Sequence, residues 1–97
     1  MKKKKRITRT EPYTLSLVKP LPVGTRTVTE LNFRVPKAKD LRVLRGKNKV
    51  DESIRLAANL CGEAMSIIEE LEPTDFIAVQ EVVDSFFPDG QVTGSNG

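Results

Sequence analysis

The chain has 97 residues, a net charge of +3 and neither histidine nor tryptophan. This length is enough for one small domain and too short for two. Without histidine, the chain lacks the usual general base near pH 7 and any histidine-containing metal site. It has one cysteine, Cys61, which excludes an internal disulfide bond. No apolar run approaches the roughly 20 residues of a membrane helix, and the N-terminus lacks a signal-peptide core. These features predict a cytoplasmic protein that makes no membrane contact.

Charge is distributed unevenly along the chain. Residues 1–50 carry fifteen basic and three acidic residues, a net charge of +12, whereas residues 51–88 carry one arginine and nine acidic residues, a net charge of −8. Such asymmetry is typical of proteins that bind nucleic acid, bind an acidic partner or associate head to tail. Attraction between the two halves of one folded chain explains it equally well. A homo-oligomer joined through its oppositely charged halves is therefore one of several open interpretations.

The N-terminal third predicts a basic leader followed by a β-hairpin. Residues 1–10 are rich in lysine and arginine, and their mutual repulsion predicts a disordered segment. Apolar and polar residues alternate at 13–18, which predicts a strand, and the prolines and glycine of 19–24 predict a loop. A second strand is predicted at 27–35. Val28 is out of phase with its apolar face, which indicates either a bulge or a solvent-facing side chain.

The rest of the chain predicts short helices. Apolar spacing and helix-ending residues favour helices at 37–45, 51–61, 64–71 and from Pro73 to residue 87. The predicted fold is therefore α+β, with an N-terminal antiparallel β-hairpin followed by a small bundle of three to four short helices. We expect one domain over residues 11–88 and a flexible tail at 89–97.

No residue pattern indicates catalysis. Glu69 and Glu70 are adjacent, so they point about 100° apart on a helix and do not form a catalytic pair. Cys61 lies on an apolar helix stripe without a histidine partner, which is typical of a small core residue. No residues stand at metal-ligand spacing, and no phosphate-binding glycine loop is present. The chain is therefore not expected to be an enzyme or to bind a cofactor or metal.

The last predicted helix carries the strongest apolar stripe. Phe86 and Phe87 are neighbours, so both cannot face inward, and one of them is expected to be available to a partner. Core packing alone is the alternative interpretation of this stripe. The predicted partner-binding residues are Phe76, Val79, Val83, Phe86 and Phe87.

Nucleic-acid binding is a second functional hypothesis. The leader and the basic residues of positions 26–49 could form a basic surface that contacts phosphates. The helices after residue 50 are acidic, however, and no aromatic residues are interleaved for base stacking. A small basic nucleic-acid-binding accessory protein therefore remains the alternative function.

Several short motifs follow one another in a characteristic order along residues 13–87. They are Val28-Thr29-Glu30-Leu31, Phe33-Arg34-Val35-Pro36, Lys39-Asp40-Leu41, the segment 56–61 and Leu71-Glu72-Pro73-Thr74-Asp75-Phe76. In this order they resemble a known family, the small tail assembly chaperones of Mu-like and related contractile-tailed phages.

This resemblance implies a protein without enzymatic activity or cofactor. It implies that the chain binds the phage tape measure protein and keeps it soluble in the host cytoplasm while the tail tube polymerises around it. A chaperone with this role is expected to be absent from mature virions, whereas a structural virion component, a third hypothesis, would be present in them.

Overall fold

The computed structural model describes residues 8–43 and 48–87. Predictions for the leader up to residue 7, the segment 44–47 and the tail from residue 88 lie outside the described residues. The described chain forms a two-stranded antiparallel hairpin followed by a 3-10 segment and three α-helices. The elements are β1 (Tyr13–Val23), β2 (Arg26–Phe33), the 3-10 segment (Ala38–Val43), α1 (Lys49–Cys61), α2 (Met65–Glu69) and α3 (Pro73–Ser85). The α+β prediction is confirmed.

Strand β1 extends through the segment that was predicted to be a loop. It continues to Val23, and the chain reverses at Gly24, whose φ of 63° favours glycine. The sheet in the described residues has two strands, so each of them is an edge strand. Edge strands tolerate proline because a missing N–H can face away from the pairing side. The loop prediction at 19–24 was wrong because Pro20 and Pro22 do not interrupt this strand.

A large bulge changes the register of the hairpin. Ser16 pairs with Glu30 and Leu21 with Val28, so four residues of β1 lie opposite Thr29 alone. The bulge shifts the inward face of β2 by one residue. Val28 is consequently buried at 4% exposure on the same side as Leu31 and Phe33. Of the two interpretations offered for Val28, the bulge is the one observed.

The helix boundaries differ from the predictions at several places. Helix α2 spans Met65–Glu69 rather than 64–71, and α3 ends at Ser85 rather than at residue 87. The predicted helix at 37–45 is a 3-10 segment, in which the Asp40 carboxylate accepts a bond from the Lys37 backbone N–H at 2.6 Å. Helix α1 begins at Lys49, and its N-cap is Asn48, whose side chain accepts a bond from the Asp51 N–H at 2.8 Å. The predicted start of this helix, residue 51, lies two residues later. Gly62 closes α1 with a φ of 71°, as its sequence position predicts.

One hydrophobic core joins the inner face of the hairpin to all three helices. None of the helices in the described ranges has the length and hydropathy of a membrane-spanning segment. The buried apolar residues are Leu17, Val28, Leu31, Phe33, Leu56, Ala57, Ala58, Leu60, Ile68, Leu71, Val79, Val82, Val83 and Phe86.

Candidate functional site: an apolar groove between three helices

An apolar groove of about 260 Å³ opens where the three helices meet. Val50 is 51% exposed at this groove, and Phe76 is half-buried. Among the described lining residues, Glu69 carries the charge. Clustered apolar surface of this kind is typical of a site that binds a partner protein. The lining residues are Val50, Ile54, Ile68, Glu69, Leu71, Pro73 and Phe76.

The predicted partner-binding residues of the last helix fall into two groups. Val79, Val83 and Phe86 belong to the buried core of the monomer, with exposures of 0%, 2% and 6%. Phe76 and Phe87 are half-buried and pack against that core. Phe76 lines the groove, and Phe87 is the less buried member of the adjacent pair. Partner binding through these five residues stays a prediction.

Sequence reasoning missed the contribution of α1 to this groove. Val50 was left outside the predicted helix because the helix start was placed at residue 51. Asn48 is a preferred N-cap residue and offered the signal for the earlier start. With that start, Val50 and Ile54 are four residues apart on one face of α1, and both line the groove.

A buried aspartate connects the first turn of α3 to the hairpin bulge. Asp75 is 2% exposed, and its two carboxylate oxygens accept bonds from the backbone N–H groups of Val18 at 2.8 Å and Lys19 at 3.0 Å. A bulge leaves such N–H groups without a partner in the opposite strand. The carboxylate satisfies them and thereby fixes the start of α3, next to Phe76 of the groove.

A second buried aspartate, in the 3-10 segment, connects the residue that follows β2 to α1. Asp40 is fully buried and accepts two bonds from the Arg34 guanidinium, at 2.7 and 2.9 Å. Its carboxylate also accepts bonds from the Lys37 N–H at 2.6 Å and the Asn59 amide at 2.7 Å. The bonds from Arg34 are the main reason that the pKa of Asp40 lies below its usual value, and they raise the pKa of Arg34.

Part of the charge asymmetry is compensated within the folded chain. Arg26 of the basic half pairs with Glu63 of the acidic half at 2.8 Å, and Lys19 lies 3.8 Å from Glu72. Arg9, from the predicted leader, donates from Nε to the Ser85 hydroxyl at 2.8 Å. The two ion pairs are those expected if the two halves attract each other in the monomer. Association between copies through the same charges stays a prediction.

The described residues contain no group of three or more histidine, cysteine or acidic side chains that could hold a metal ion. Cys61 is half-buried, and burial raises the pKa of its thiol. A raised pKa keeps the side chain in the protonated form, which is a poor nucleophile. The geometry at Cys61 is that of a packing residue.

Comparison with known proteins bears on the whole folded region. No curated protein sequence and no solved structure matches the chain. The family model described as phage tail assembly chaperone proteins, E, or 41 or 14, matches residues 14–88. The matched region contains nearly all of the hairpin, the three helices, both buried aspartates and the groove. It is well over half of the sequence, and the chain therefore belongs to the family of phage tail assembly chaperones.

Proposed function

We propose that this chaperone binds the tape measure protein of its phage and keeps it soluble in the host cytoplasm while the tail tube assembles. The observation that carries the proposal is the apolar groove between α1, α2 and α3. Two of the three helices in its walls are anchored by buried aspartates, because Asp75 ties the start of α3 to the hairpin and Asp40 accepts a bond from Asn59 of α1. The groove is therefore formed before a partner arrives, which lowers the entropic cost of binding.

A groove of this size supports weak binding by one chaperone copy, and strong binding only if the copies on one client also contact each other. One small groove covers only a short segment of the client. Because about 25 cal/mol is gained for each Å² of apolar surface removed from water, the binding free energy from a single groove is small. Several chaperone copies along one long client would cover its apolar segments in series. Such coverage suits a client that remains aggregation-prone until the tube encloses it.

The nucleic-acid alternative receives less support from the structure. Arg26 and Arg34 lie among the basic residues that would form the phosphate-binding surface, yet both are engaged in ion pairs within the chain. Salt-dependent retention on DNA would favour this alternative.

Placing a charge at the mouth of the groove is expected to abolish client solubilisation. Val50→Glu should leave the fold intact, because Val50 is 51% exposed. It should move co-expressed tape measure protein from the soluble to the insoluble fraction.

Phe76→Ala should weaken the complex roughly thirtyfold, since aromatic anchors at interfaces contribute about 2 kcal/mol or more.

Val18→Glu is the matched control for this experiment. Val18 is a valine at 79% exposure on the hairpin bulge, away from the groove lining. This variant should keep the client soluble. If the two variants are equally stable to heat and the client stays as soluble with Val50→Glu as with Val18→Glu, the groove does not bind the client.

A further inference from the structure

We infer that the groove accepts a basic amphipathic helix, with apolar residues on one face and lysine or arginine beside that face. This inference deepens the proposed function and rests on it for the identity of the client. Two separate observations specify the occupant. The residues that line the groove favour a helix, and the charge around the groove favours basic flanks on that helix.

The lining favours an occupant that satisfies its own backbone hydrogen bonds. Apart from Leu71, the lining residues all lie in α1, α2 or α3, whose backbone groups bond mainly within each helix. The groove therefore offers no strand edge to an extended peptide. Burying unpaired N–H and C=O groups against apolar side chains is costly, so an extended segment would bind poorly. A helix brings its backbone bonds with it and presents anchors at i, i+3, i+4 and i+7.

The charge around the groove favours basic flanks on that helix. Glu69 lines the groove, and Glu70 follows it at an exposed position. Glu72 is also exposed, but it lies 3.8 Å from Lys19. From residue 56 to residue 87 the sequence contains no lysine or arginine. On α1, the positive charges of Lys49 and Arg55 are balanced by Asp51, which pairs with Arg55 at 2.9 Å, and by Glu52, so this helix adds no net charge beside the groove. The negative field selects a basic partner and raises the rate of its encounter.

A second copy of this chain offers a competing occupant. Its 3-10 segment carries Leu41 at 44% exposure, flanked by the exposed basic residues Lys37, Lys39 and Arg42. This segment is six residues long and presents one large exposed apolar side chain in the described part of the chain. A groove that extends from Val50 on α1 to Phe76 on α3 accommodates several anchors. A longer helix therefore fits it better than a single leucine.

The test uses two synthetic peptides of about 18 residues, or five helical turns. They share one leucine-rich face and carry either lysine or glutamate beside it. Titrated into the full-length chaperone, the lysine peptide should bind, gain helical circular dichroism and weaken as salt rises. The glutamate peptide should bind at least about tenfold more weakly. Glu69→Gln should weaken the lysine peptide by about two- to fivefold. Glu81→Gln removes an exposed charge outside the groove lining and should leave the affinity for the lysine peptide unchanged.

Three results would overturn the inference. The first is equal binding of the two peptides, and the second is binding without a gain of helix. The third is self-association that competes with the lysine peptide and disappears in Leu41→Ser, which would assign the groove to a second copy. Client solubility measured in parallel separates the two claims. A client kept soluble through the groove without charge preference contradicts this inference alone. A bound lysine peptide with an insoluble client contradicts the proposed function alone.

Discussion

The Asp40→Ala variant is expected to lose about 3–4 kcal/mol of unfolding free energy, a large part of the roughly 5–15 kcal/mol that stabilises a small domain. The substitution removes the acceptor for Arg34, the Lys37 N–H and the Asn59 amide at a site with no solvent exposure. The loss falls at the lower end of the range for broken buried ion pairs, because Arg34 is 41% exposed and water can solvate it. Urea denaturation monitored by circular dichroism measures the change.

The role of the Asp40 carboxylate can be tested separately by comparing how the stability of the wild-type chain and of Asp40→Asn depends on pH. The folded pKa of Asp40 lies below the unfolded value of about 3.9, so its ionised form stabilises the fold above about pH 4. That contribution is lost as the pH falls through the folded pKa. The wild-type chain should therefore lose more stability below pH 4 than Asp40→Asn does. Parallel acid profiles for the two proteins would contradict the role assigned to the Asp40 carboxylate.

The Asp75→Ala variant is expected to lose about 2–3 kcal/mol of unfolding free energy. Its carboxylate is 2% exposed and satisfies the backbone N–H groups of Val18 and Lys19. Each N–H left without a partner costs about 1–3 kcal/mol, reduced here because the bulge lies near solvent. Removal of the carboxylate should also release the start of α3. Because Phe76 is the next residue and lines the groove, client binding should weaken. Denaturation and client co-purification are measured on the same preparation.

Asp84→Ala is the matched control for Asp75→Ala. Asp84 is an exposed aspartate on the same helix, and its replacement should change stability by no more than about 0.5 kcal/mol. Asp75→Asn should fall between the two, because an amide oxygen can replace one of the two accepting oxygens. If Asp75→Ala were as stable as Asp84→Ala, the bulge would not depend on this carboxylate.

Local patterns in the sequence predicted the elements but not the contacts that distort them. Alternation was sufficient to predict the hairpin, and Gly62 was sufficient to predict the end of α1. The continuation of β1 through Pro20 and Pro22 depends on a bulge stabilised by Asp75, which lies 57 residues from Val18. No local pattern reports such a contact. The inward position of Val28 follows from the same bulge and was left open for the same reason.

The candidate site was only partly accessible to sequence reasoning. The apolar stripe of α3 was identified, but how much of it the core covers depends on how the helices pack. Val79 and Val83 are core residues because the rest of the fold covers them. The groove instead combines the edges of three helices, and its α1 edge required the correct cap at Asn48. Of the predicted partner-binding residues, Phe76 is the one that also lines the groove.

The central claim is that the groove between the three helices contacts the tape measure protein. A photo-reactive phenylalanine analogue introduced at position 50, with the same analogue at position 18 as control, tests it in cells that co-express both proteins. Both positions are exposed valines, at 51% and 79%. The account predicts covalent adducts with the tape measure protein from position 50 and none from position 18. A soluble complex that forms adducts from position 18 but not from position 50 would contradict it.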